Sequence, residues 1–212
     1  VALLSRRLAL CVVVACGACA KDALAQETPV QNVSAIQAPI AALDAALIDI
    51  MKRGKAAPFP QRAAILAPVL RSAFDLPTIL RVSVGPSWAE LPQAQQAMLL
   101  NAFESFTIVT YTANFANYSG ERFDMLPELR SAGSDQIVQT RLVPASGAPI
   151  PLDYVMRQEG GVWKAIDVLL DGSISRVAVQ RSDFRSLLRP GDASALTESL
   201  QRKVKDLSAG TM

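Results

Sequence analysis

Histidine is absent from the 212 residues, and the three cysteines, Cys11, Cys16 and Cys19, all fall near the start. Beyond Cys19 the chain therefore has no thiol nucleophile, no disulfide and no thiolate or imidazole metal ligand. Zinc centres and histidine-based triads are excluded on that ground. Aromatic residues make up only 6%, and no basic block interleaved with aromatics occurs, so nucleic acid is not an expected partner. No phosphate-binding glycine loop or calcium-loop pattern is present. The formal charge of +2 is carried by Arg6, Arg7 and Lys21 against Asp22, and the remainder is neutral. Few enzymes of this size work without both histidine and cysteine, so neither catalysis nor a cofactor is expected.

The chain instead offers a processed leader and apolar surface. Arg6-Arg7 precede an apolar run over 8–20 and the small-residue site Ala23-Leu24-Ala25. A positive segment, an apolar segment and a small-x-small site have the form of a secretory signal peptide. The run is shorter than the roughly 20 residues that span a bilayer. Residues 1–25 are thus expected to be a signal peptide and 26–212 a single domain working outside the cytoplasm. Val13-Val14-Ala15-Cys16 offers a second processing site, at which Cys16 would carry lipid.

Ile36, Ile40, Leu43, Leu47, Ile48 and Met51 recur at helical spacing, with Ser34 as cap and Gly54 as stop. A second helix carries Ile65, Leu66, Val69, Leu70 and Phe74. Asp75 caps a short third, in which Pro77 is harmless in the first turn. Pro92 opens the longest helix, to about Tyr118, with Met98, Leu99, Phe103, Phe106 and Val109 on its stripe. Thr107, Thr110 and Thr112 weaken its second half, which must be held by packing. From Glu121 the period turns towards two, predicting strands over 123–126, 136–143, 152–158, 162–169 and 174–179. A short helix over 183–188 and a last one capped by Asp192 follow. Short links between successive strands imply an antiparallel meander, and the whole pattern is that of an α+β domain. It places N-terminal helices on a curved sheet, with a C-terminal helix returning to cover them.

The acids do not read as an active site. Asp167 and Asp171 flank three apolar residues, with Asp153 one strand away. A glycosidase needs two carboxylates facing each other across a cleft, whereas these fit a strand end and a turn. Ser182 has no histidine to activate it.

The large apolar residues Leu70, Phe74, Ile79, Leu80, Phe103, Phe106, Tyr154, Met156 and Trp163 are spread over both the helices and the sheet. They are candidates for ordinary core or for the wall of an apolar cavity, and periodicity does not separate the two. A lipid carrier needs just such a composition. Burying acyl chains contributes about 0.8 kcal/mol per methylene, so two tails of about fifteen methylenes supply on the order of 20 kcal/mol. Loss of contact with an equally apolar bilayer offsets most of this, which makes transfer in either direction feasible.

An ordered set of segments carries a resemblance. Phe74-Asp75-Leu76, Val84-Gly85-Pro86-Ser87-Trp88, Gln95, Phe103 and Thr110-Tyr111 come first. Gly147-Ala148-Pro149-Ile150, Leu152-Asp153-Tyr154 and Gly161-Val162-Trp163-Lys164-Ala165-Ile166-Asp167-Val168 follow. Asp171-Gly172-Ser173-Ile174-Ser175 and Gln180-Arg181-Ser182-Asp183-Phe184 complete it. Together, over about 36–207, they resemble the toluene-tolerance Ttg2/MlaC family of periplasmic phospholipid-binding proteins, with similarity to its hopanoid-associated subgroup. Ile166 and Ile174 depart conservatively from the family pattern.

The resemblance implies an NTF2-like, MlaC-like fold and a soluble periplasmic shuttle holding the tails of a phospholipid or hopanoid. It further implies exchange with an outer-membrane lipoprotein/porin complex and with an inner-membrane ABC transporter carrying an MCE protein. Trp88 would pack the third helix on the long one, and Tyr154 and Trp163 would share a sheet face. Arg181 would either meet the head group or anchor the last strand by a salt bridge. The competing readings are an NTF2-like hydrolase and an adaptor with a solid core.

Overall fold

In the computed structural model, which describes residues 29–210, the first helical stripe becomes α1 (Pro29–Arg53). It buries Ile36, Ile40, Leu43, Leu47 and Ile50 in the core. Ser34 lies inside this helix and does not cap it. The signal segment 1–25 lies outside the described residues. A 3-10 turn (Gly54–Ala56) and Pro58 lead into α2 (Phe59–Ala73), whose buried side is Arg62, Leu66, Leu70 and Ala73.

Phe74 then leaves the helix in extended form and bridges to Ala165 of the sheet. The Asp75 amide donates to the Ala165 carbonyl at 2.9 Å. The Asp75 carboxylate accepts from the Thr78 amide at 3.0 Å and starts α3 (Leu76–Val84), as the sequence predicts. A 3-10 segment (Gly85–Glu90) holds Trp88, half-buried against the core, whose carbonyl accepts from Gln96 at 3.0 Å. The long helix α4 (Gln93–Asn114) ends earlier than expected, with Phe115 as its extended cap. Its threonines behave unequally. Thr107 and Thr112 donate to the carbonyls four residues back at 2.9 and 2.8 Å, whereas the buried Thr110 hydroxyl has no partner.

The sheet is an antiparallel meander in the order β1 to β5. Its strands are β1 (Arg122–Ala132), β2 (Asp135–Val143), β3 (Ile150–Glu159), β4 (Val162–Leu170) and the two-residue β5 (Ile174–Ser175). β1 runs well past the predicted 123–126. Pro127 has no amide to donate, but β1 is an edge strand and its register with β2 shifts between Met125 and Leu129. Gln37 of α1 fastens that irregular stretch by donating to the Leu126 carbonyl at 2.9 Å. β3 and β4 are joined by Gly160-Gly161, whose φ of 57° and 82° gives the two-residue hairpin turn that only glycine adopts easily. The side chains of Val138, Thr140, Leu152, Tyr154 and Met156 face the helices. The opposite face carries the ion pairs Arg130–Asp153 at 2.8 Å and Arg157–Asp135 at 2.7 Å.

The largest departure follows β5. The sequence predicts one strand over 174–179 and a helix over 183–188; the chain instead forms α5 (Arg176–Arg185). Asp167 of β4 is the cause, because its carboxylate accepts from the Val177 amide at 3.1 Å and from the Ser175 hydroxyl. Ser175 then caps the helix, accepting from the Ala178 amide at 2.9 Å. α6 (Ser194–Ala209) starts two residues after Asp192, whose carboxylate accepts from the Ser194 amide at 2.9 Å. It packs on α4 through Leu196 and Leu200, and Gln95 of α4 accepts from the Ala193 amide at 2.7 Å.

Candidate functional site

One face of α4 is not closed against the sheet. Phe103, Phe106, Thr107, Thr110, Tyr111, Asn114 and Phe115 recur at spacings of three and four, and all of them line open space. The first cavity, about 540 Å³, lies between this face and α3 and α5. Phe74, Leu76, Ile79 and Val177 complete its apolar wall, with Asp167, Arg176 and Gln180 as polar members. The second, about 1010 Å³, lies over the sheet. Leu142, Leu152, Tyr154 and Leu170 form its floor, and the exposed Ile150 stands at its rim. Thr110, Tyr111, Val168 and Arg176 belong to both cavities, so the two meet along one wall. Either volume falls within or just above the roughly 300–1,000 Å³ that accommodates small organic ligands.

A chain of aromatic rings stiffens this junction. Phe74 lies 5.7 Å from Tyr111 and 6.2 Å from Tyr154, and Tyr111 stacks on Phe115 at 6.1 Å. Rings at these separations attract beyond their area burial. Burial pushes the hydroxyls of Tyr111 and Tyr154 well above the ordinary tyrosine range, while the Arg176 charge pulls Tyr111 the other way. Asp44 of α1 contributes to raising both. Its own carboxyl is buried with one oxygen lacking any partner, and loss of hydration raises its pKa to about 7.

Of the nine residues picked from sequence, Phe74, Ile79, Phe103 and Phe106 line the first cavity and Tyr154 the second. Leu70, Leu80 and Met156 sit fully buried in the solid core and reach neither. Trp163 shares the inward sheet face with Tyr154, as expected from the register, but it lies opposite Gln158 near the hairpin and away from both cavities. Arg181 lines neither cavity. Its guanidinium lies over Gly85, in a separate groove with Arg185 and Arg189, and no ion pair to it is found among the described residues. Asp167 spends its carboxylate on Val168, Ser175 and Val177, Asp153 pairs with Arg130, and Asp171 occupies a turn with φ of 50°. The sequence reading missed Tyr111, Phe115, Val168 and Arg176. The first two were within reach, since they continue the α4 face eight and twelve residues after Phe103.

A helix-covered antiparallel meander around joined apolar cavities defines a binding protein that encloses an elongated apolar ligand. The chain belongs to the MlaC family, whose model, described as MlaC protein, matches residues 42–202. Its fold is shared with a phospholipid-binding protein from Ralstonia solanacearum solved in complex with a phospholipid. The two are 20% identical with a TM-score of 0.70, over 82% of this chain and 98% of that one. No curated protein matches the sequence.

Proposed function

We propose that this protein is a periplasmic lipid carrier that sequesters the acyl chains of a phospholipid in the joined cavities and performs no chemistry on it. The observation that carries this reading is the unfilled apolar space along α4, lined by Phe74, Phe103, Phe106, Tyr111, Phe115 and Tyr154. A solid-cored adaptor would have no use for it. MlaC membership and a fold shared with a lipid-bound protein support the same conclusion. The leader over residues 1–25 supports export. Exchange with an outer-membrane lipoprotein/porin complex and with an inner-membrane ABC transporter bearing an MCE protein belongs to this reading, and rests on the family membership. Two cavities meeting at one wall suit a lipid with two flexible chains better than a hopanoid, whose fused rings make one rigid body.

Transfer between vesicles tests the proposal. Donor vesicles carrying a fluorescent phospholipid are mixed with unlabelled acceptors, with and without the protein. The expected result is transfer that rises linearly with protein concentration. A rate equal to the protein-free control at all concentrations would overturn the carrier reading.

A further inference from the structure

Arg176 is the cationic residue common to both cavities. It opens α5, its side chain is exposed, and its charge acts on the Tyr111 hydroxyl on the opposite wall. Among the described residues it makes no salt bridge. Asp167, the acid lining the first cavity, is already engaged by the Val168 and Val177 amides and the Ser175 hydroxyl. The junction therefore holds an arginine with donors to spare, next to Thr110, whose buried hydroxyl has no partner where Thr107 and Thr112 have theirs. Two polar groups stand together where two apolar compartments meet. An unpaired buried hydroxyl is costly unless a ligand satisfies it, and a guanidinium matches the geometry of a phosphate.

We infer that the junction is the recognition point for the glycerophosphate ester region of a two-chain lipid. Arg176 donates to the phosphate, Thr110 donates to an ester carbonyl, and one chain runs into each cavity. This rests on the carrier reading and adds a specificity to it: lipids bearing a phosphate next to the glycerol are preferred over neutral diacylglycerol with the same chains.

The test is competitive uptake from vesicles holding equal amounts of dioleoyl phosphatidylglycerol and dioleoylglycerol, with protein-bound lipid quantified by mass spectrometry. The expected preference for the phospholipid is roughly tenfold, the size of one charge-assisted contact. In Arg176→Gln it falls to near one, Arg176→Lys retains part of it, and Thr110→Val lowers it by a smaller factor. Arg202→Gln, on the exposed face of α6, keeps the wild-type ratio. Excess inorganic phosphate leaves the ratio unchanged; its abolition by phosphate would mark a free-anion site and overturn the inference. Equal uptake of both lipids by the wild type would also overturn it while leaving the carrier reading intact. Uptake of neither would overturn both.

Discussion

Val168→Trp lowers the bound lipid of the purified protein at least tenfold. Val168 projects from β4 into the wall that both cavities share, so an indole there occupies the junction through which the two chains would diverge. The substitution adds bulk into open space, and the overpacking penalty of about 1–3 kcal/mol that applies to a filled interior does not arise. Leu80→Trp is the contrast. Leu80 is completely buried in the core, so the same gain in volume strains α3 and lowers the melting temperature by several degrees. Lipid per protein is read by phosphate analysis. Melting is compared on delipidated samples, because a bound ligand stabilises by mass action and would otherwise be confounded with packing. Wild-type lipid content in Val168→Trp would show that the junction is not on the ligand's path.

Asp44→Leu raises stability, and the gain grows with pH. The Asp44 carboxyl is raised from 3.8 to about 7 by burial, so between those values the folded state holds a proton that the unfolded state has released. Stability attributable to this group is complete below about pH 4 and is lost as pH rises towards 7. Above pH 7 a buried, unpaired carboxylate remains, costing at most about 4 kcal/mol. Leucine removes that cost, and the variant melts several degrees higher at pH 8 while differing little at pH 4. Thermal melts of delipidated protein at the two pH values check this. An equal shift at both would assign the effect to packing alone, and no gain at pH 8 would mean that the carboxylate is already solvated.

The elements whose burial repeats with a local period were legible in the sequence. The stripes of α1 and α4, the Asp75 cap and the Gly160-Gly161 hairpin each follow from residues within a few positions of one another. The elements set by distant partners were not. Ile174, Val177 and Val179 suggest a strand, yet Asp167 captures the Val177 amide and the Ser175 hydroxyl and turns that stretch into α5. Pro127 suggests the end of a strand, and only its place on the sheet edge lets β1 continue.

The site divides along the same line. Phe103 and Phe106 announce the lining face of α4, and Tyr111 and Phe115 continue its spacing. Leu70, Leu80 and Met156 carry the same apolar signature but are spent on the core, because periodicity records which side is buried and not whether protein fills the space beyond. Arg176 gave no local sign at all. Its position at the junction depends on the link between β4 and α5, ten residues apart in sequence.

Native mass spectrometry of the gently purified protein tests the central claim most directly, since it weighs whatever occupies the cavities. A carrier is expected to show a mass increment equal to one diacyl phospholipid per chain, and organic extraction should abolish it. A bare polypeptide mass, unchanged after incubation with phospholipid vesicles, would contradict the account.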